Sequence, residues 1–188
     1  MKLTLSILGG FLFALNSFGQ GTLTWIPPAS PITTNNLQGS SGPISGAGQY
    51  RFGLYIGPLG APESSLTLIA ATTNALATGT FSPVNNVLLP GLPNGQQITF
   101  QVRGWSAFAG PSYESALAYA LGGGDPLAYL GRSVLGNYLI GSPSPLQSGT
   151  FVLTPVPEPS SVLLGMVGMF LIFLMRPRAR QAGKTTQT

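Results

Sequence analysis

Apolar and polar residues alternate most regularly in two stretches of the chain. In residues 49–56 (QYRFGLYI), Tyr50, Phe52, Leu54 and Ile56 fall on one side, and Gln49, Arg51, Gly53 and Tyr55 on the other. A period of two held over that length predicts a half-buried strand. Residues 97–106 (QITFQVRGWS) repeat the pattern. Ile98, Phe100 and Val102 are expected to point into a core, and Thr99, Gln101 and Arg103 toward solvent. Shorter strands are expected over 21–26, 66–71, 79–81, 86–89 and 149–154. The turns between them are Gly57-Pro58-Leu59-Gly60 and Leu92-Pro93-Asn94-Gly95, where Gly and Pro supply the tight dihedrals. Residues 112–121 (SYESALAYAL) suit a short helix stopped by Gly122-Gly123-Gly124, and are also compatible with a strand. Residues 26–48 are rich in Pro, Gly, Ser, Thr and Asn and read as irregular. No repeat of solenoid period is found. Short strands parted by Gly and Pro turns predict a mostly β chain, built as a single antiparallel β-sandwich-like domain.

The two ends depart from this pattern. Lys2 precedes the apolar run 3–15 (LTLSILGGFLFAL), and Ser17 and Gly19 place small residues where a signal peptidase reads them. This order predicts a signal helix over 1–19, cut between Gly19 and Gln20. An uncleaved anchor is the alternative, and it ordinarily needs nearer ~20 apolar residues. At the other end, Pro157-Glu158-Pro159 precedes the apolar run 162–175 (VLLGMVGMFLIFLM), and Arg176, Arg178 and Arg180 follow it. A helix over 160–175 would span roughly 24 Å, at 1.5 Å per residue. That is short of the ~30 Å hydrocarbon core, although snorkelling by Arg176 extends it. The arginines predict a cytoplasmic C-terminus, with everything upstream outside.

The order Pro-Glu-Pro, apolar run, arginine cluster resembles the PEP-CTERM sorting signal of exported Gram-negative proteins. Pro157, Glu158 and Pro159 match that motif position by position. The resemblance implies recognition by an exosortase, a membrane-embedded peptidase, and removal of the tag near the motif. A looser resemblance covers the middle of the chain, through Gly53-Leu54-Tyr55-Ile56-Gly57-Pro58, Phe100-Gln101-Val102-Arg103-Gly104-Trp105, Tyr113-Glu114 and Phe151-Val152-Leu153. These are similar to domains carried by PEP-CTERM proteins of Verrucomicrobia-like bacteria. That likeness implies one sandwich-like domain and no particular chemistry. The expected organisation is a signal peptide over 1–19, an irregular arm over 20–48, a β-rich extracytoplasmic domain over 49–154, a sorting signal over 155–180 with a transmembrane segment at 160–175, and a cytoplasmic tail over 181–188.

Charge changes the picture once it is placed along the chain. The net +4 comes from the ends. Between 21 and 156, Arg51, Arg103 and Arg132 balance Glu63, Glu114 and Asp125. No basic patch is available to neutralise phosphates, so nucleic acid is not an expected partner. The chain has no Cys and no His, and its two lysines, Lys2 and Lys184, lie in the terminal segments. Thiol nucleophiles and serine triads based on histidine or lysine are therefore excluded from the middle. Glu63, Glu114 and Asp125 leave carboxylate-only hydrolysis as the remaining catalytic option, against surface charges and ion pairs. Gly122-Gly123-Gly124-Asp125 lacks the Lys-Ser/Thr ending of a phosphate loop and reads as a helix stop. Neither metal nor cofactor is expected. Tyr55 and Trp105 have strand parity with Arg51 and Arg103, which allows two arrangements. Exposed rings could stack on sugars of an exopolysaccharide, or a bulge at Gly104 could turn Trp105 into the core. The expectation is an exported, non-catalytic protein of the cell surface or extracellular matrix. Signal peptidase and exosortase would be its partners in transit, and the membrane its temporary anchor. A carbohydrate-binding module is the alternative.

Overall fold

The computed structural model describes residues 20–36, 41–156, 165 and 169–171. Gly19 and the rest of the expected signal, Pro157, Glu158 and Pro159, and Arg176, Arg178 and Arg180 lie outside the described residues. Of the segment 160–175, residues 165 and 169–171 are described, as helix. Among the described residues no helix is long and apolar enough to cross a membrane. The expected C-terminal transmembrane helix thus has no support in the fold.

The described residues are mostly β and form two sheets. The smaller holds β1 (Gly21–Ile26), β6 (Val84–Leu89) and β10 (Leu146–Gln147), in the order β10-β1-β6. The larger holds β2 (Thr33–Asn35), β3 (Ser41–Pro43), β4 (Tyr50–Pro58), β5 (Thr67–Thr73), β7 (Gln97–Ser106), β8 (Tyr129–Arg132), β9 (Gly136–Leu139) and β11 (Val152–Pro155). Its order is β3-β2-β11-β8-β7-β4-β5, with β9 also on β7. Most pairs are antiparallel. The exceptions are β1 with β10 and β2 with β11, which run parallel and so correct the expectation of a purely antiparallel sandwich.

Alternation builds the main core. Phe52, Leu54 and Ile56 of β4 and Ile98, Phe100 and Val102 of β7 share one hydrophobic cluster with Leu23, Trp25, Val87, Leu89 and Leu146 of the small sheet. The two sheets therefore face each other across that layer, as period-two patterning requires. Phe81 stacks on Phe52 at 5.2 Å and tilts against Trp25 at 4.7 Å, bridging the sheets. The turn before β7 closes as expected, with Gly95 at φ +86°, a left-handed conformation that glycine adopts without steric cost. β8 and β9 lie end to end along β7, pairing with residues 103–105 and 97–100 respectively. Ser133 spans the gap between them. Its N–H donates to the Val102 carbonyl at 2.8 Å, and its Oγ accepts from Val102 N–H at 3.0 Å. A side-chain oxygen there takes the place of a ladder carbonyl.

Residues 20–48, expected to be an irregular arm apart from an early strand, hold β1, β2 and β3. Two isolated apolar residues explain the difference. Ile32 and Ile44 are buried in the main core, and Ile44 N–H donates to the Ile32 carbonyl at 3.0 Å. One isoleucine per polar stretch is too sparse to register as a period.

The larger sheet is covered on its outer face as well. Helix α1 (Tyr113–Leu121) lies there, capped at its start by Ser112 and Ser115, whose side chains each accept from the other's backbone N–H. Of the two sequence readings for this segment, helix is the one the chain adopts. A second cluster forms beneath it from Trp105, Ala109, Ala116, Ala120, Ala128 and Leu130. The described fold is a three-layer stack of small sheet, large sheet and helix.

Candidate functional site

The third layer accounts for the side chains that the sequence places wrongly. Gln101 and Arg103, expected to face solvent, are buried at 2% and 6% exposure, and Tyr55 at 1%. Trp105, for which burial is one of the two expectations, is buried at 0%. Thr99, also expected outside, is buried at 3%, where its Oγ1 accepts from Gly60 N–H and donates to Asn137 Oδ1. Strand parity is correct: β4 and β7 pair without a register shift from Tyr50↔Ser106 to Pro58↔Ile98. No bulge at Gly104 is needed. The outer face is simply covered, so Trp105 is buried under the helix, and its Nε1–H donates to the Gly110 carbonyl at 2.9 Å. A sugar-stacking platform at Tyr55 and Trp105 does not form.

What forms instead is a charged hub. Arg103 projects from β7 and uses all three of its nitrogens. Nη1 donates to Glu114 Oε1 at 2.7 Å, Nη2 to the Glu63 carbonyl oxygen at 2.8 Å, and Nε to Gln101 Oε1 at 2.8 Å. Gln101 Nε2 in turn donates to the Ser133 carbonyl at 3.0 Å. The guanidinium lies 4.1 Å over the Tyr55 ring and 5.5 Å from the Tyr113 ring, a cation–π arrangement. Tyr55 OH donates to Glu114 Oε2 at 2.8 Å, and Arg132 pairs with the Glu63 carboxylate. Of the six charged residues between 21 and 156, Arg103, Arg132, Glu63 and Glu114 thus meet at one place.

The hub joins three elements. Glu114 sits in the first turn of α1, where an anion also meets the favourable end of the helix dipole. Glu63 opens a short 3-10 turn, Glu63–Ser65, before β5. Burial holds the Tyr55 phenol well above its ordinary pKa, and its hydrogen bond to Glu114 raises it further. Tyr113 is also raised, chiefly by burial, although Arg132 and Arg103 pull it the other way. Each carboxylate is ion-paired to an arginine that is itself committed. The arrangement fastens the helix and the 3-10 turn to the sheet. Among the described residues no group of three or more acidic, His or Cys side chains could hold a metal.

Asp125 lies apart from the hub. Its Oδ1 accepts from Leu127 N–H at 2.8 Å and its carbonyl from Ala128 N–H at 2.9 Å, while Gly122 N–H and Gly124 N–H bond back to Ala118 and Tyr119. The Gly122-Gly123-Gly124-Asp125 stretch is a helix stop followed by an Asx-type turn.

A second feature had no sequence signal. A cleft of about 520 Å³ opens against the small sheet, lined by Thr22, Thr24, Ile26, Asn86, Asn94 and Tyr138 and closed by the 141–145 loop. Tyr138 OH donates to the Ser144 carbonyl at 2.8 Å and ties that loop down. The pairing of β1 with β6 shifts register between Leu23 and Trp25, and Asn86 takes φ +55° there. Asparagine tolerates the left-handed region better than most residues. The side chains of Thr22, Thr24, Asn86 and Asn94 make no hydrogen bond within the described residues. The lining is uncharged, and its amides and hydroxyls are free to serve a neutral polar ligand.

Comparison with protein-family models, with curated proteins and with solved structures found no match to this chain.

Proposed function

We propose that this chain is an exported, non-catalytic protein of the cell surface or extracellular matrix, delivered through a PEP-CTERM-like tag that an exosortase processes. The observation that carries this reading is the order Pro157-Glu158-Pro159, apolar run, Arg176, Arg178 and Arg180. The limits of the fold support it. The first strand begins at Gly21, just past the expected cut between Gly19 and Gln20, and the last ends at Pro155, just before Pro157. Cleavage at both places leaves every strand of the two sheets intact. The hub supports a structural role for Glu63 and Glu114, because both are engaged with arginines. Replacing Pro157, Glu158 and Pro159 together by alanine in an exosortase-positive host tests the reading. The variant should accumulate in the membrane fraction at full C-terminal length, while the parent reaches the surface or medium. Equal release of both forms contradicts it.

The uncharged cleft favours a second reading, a carbohydrate-binding module for exopolysaccharide. Glycan hydroxyls suit free amide and hydroxyl partners, and Tyr138 and Ile26 add apolar surface to the lining. A glycan array probed with the parent and with Asn86→Ala and Thr24→Ala variants distinguishes the two. Binding that the substitutions weaken supports the module, and an array without binding leaves the scaffold reading.

A further inference from the structure

We propose that the face carrying α1 docks on the membrane surface while the C-terminal tag is inserted, with Phe108, Tyr119, Leu121 and Leu127 as its contact residues and a zwitterionic bilayer as the partner. The inference rests on the reading of residues 162–175 as a membrane segment. It adds which side of the domain meets the lipid.

Three observations carry it. The first is where the chain leaves the fold. Pro155 pairs with Tyr129, and Val156 packs on the cluster of Trp105, Ala109, Ala116, Ala120, Ala128 and Leu130. The domain's exit point is therefore on the helix-covered face.

The second is exposed apolar surface at the same place. Phe108 is 58% exposed, Leu121 51% and Leu127 60%. Each of these, and Tyr119, is the chain neighbour of an alanine buried in that cluster: Phe108 of Ala109, Tyr119 and Leu121 of Ala120, and Leu127 of Ala128. The Phe108 and Tyr119 rings meet edge to face at 6.2 Å, so the patch is a contiguous surface at that point. An exposed apolar cluster marks an interaction surface more often than a chance distribution does. An amphipathic ring such as that of Tyr119 favours the headgroup level of a bilayer. None of the four residues is charged, and Asp125 beside Leu127 is acidic, so anionic lipid is not what the patch attracts.

The third is tether length. The apolar run starts at Val162, six residues past Val156. Fully extended, six residues reach about 20 Å. A fold of this size is about 37 Å across, from the scaling of radius of gyration with chain length. With the run in the bilayer, the side of the domain opposite the exit cannot reach the surface, and the exit side must lie close to it. The exposed residues around Val156 are then the ones brought to the lipid.

The chain has no cysteine, so a single introduced thiol reports one position. Leu127→Cys, Leu121→Cys, Leu88→Cys and Leu171→Cys forms of the full chain are labelled with an environment-sensitive fluorophore. They are then reconstituted into phosphatidylcholine–phosphatidylethanolamine vesicles containing spin-labelled lipid. Leu88 is equally exposed, at 58%, but lies on the small sheet. The expected result is strong quenching at 171 and clear quenching at 127 and 121, at least threefold above that at 88. If 171 is quenched while 127 and 121 match 88, the docking face is refuted and the membrane reading of the tag stands. If 171 is unquenched, the membrane reading fails and the docking inference falls with it. Shielding of 127 without quenching, accompanied by concentration-dependent self-association, assigns the patch to a second copy of the chain and also overturns the proposal.

Discussion

Arg103→Ala is expected to be among the most damaging single changes in the domain. Its side chain is 8% exposed and donates to Glu114, to the Glu63 carbonyl and to Gln101 at once. Truncation strands the buried amide oxygen of Gln101 and removes the cation from the Tyr55 ring. Hydrogen bonds to charged groups contribute about 1.5–3 kcal/mol each, and removing one partner of a buried pair costs about 3–5 kcal/mol. The Glu114 side chain is 57% exposed, so water recovers part of its loss. The lower end of that range, about 3 kcal/mol, is the appropriate expectation. Arg132→Ala is the internal control. Its side chain is 56% exposed, and exposed pairs contribute under about 1 kcal/mol. Urea denaturation of residues 20–156, followed by far-UV circular dichroism and tryptophan fluorescence, measures both. A cost for Arg103→Ala below about 1 kcal/mol, equal to that of Arg132→Ala, would refute the hub as a structural fastening.

Phe100→Ala should cost about 3–5 kcal/mol in the same assay, because it opens a cavity between the two sheets. Gly53→Ala should cost about 1–3 kcal/mol, since a Cβ there would sit 2.7 Å from Leu68 Cδ1, 2.9 Å from Tyr55 Cε2 and 3.2 Å from Trp105 Cη2. An alanine tolerated without loss would mean that Trp105 does not lie over that backbone. Stability should also fall in alkali. Tyr50, Tyr55, Tyr113 and Tyr138 all have pKa values raised above 10.0 in the fold. Above pH 10 the unfolded chain therefore holds fewer protons than the folded one, and unfolding is increasingly favoured as pH rises. Below that pH the contribution is fully present. Tyr55→Phe should flatten the decline, and an unchanged slope in that variant would remove Tyr55 as a cause.

Legibility in the sequence followed the strength of each pattern. β1 and β7 are observed at the limits the alternation gives, 21–26 and 97–106. β4 and β5 each begin one residue later and end two residues later than expected. Gly79 to Phe81, expected as a strand, contributes only a bridge between Asn74 and Phe81. β2, β3, β8, β9 and β10 are two to four residues long and too short to show a period. The hub was hidden for a different reason. Parity assigned Gln101, Arg103, Tyr55 and Trp105 to the right side of the sheet, but parity says nothing about what covers that side. The clue was the helix reading of 112–121, which puts Glu114 and a row of alanines within reach of the strand face. Three arginines against three acids in so weakly charged a segment also pointed to pairing. The uncharged cleft had no such clue, because its lining comes from four separate stretches of chain joined only by the fold.

The proposed export and trimming at both ends can be read from the intact mass of the mature protein. The protein should be isolated separately from native cells and from their medium, without tags. The mature species should begin at Gln20 and end between Pro157 and Pro159, with the described strands intact and the apolar run gone. A species that retains Met1 and extends to Thr188 in both fractions contradicts it.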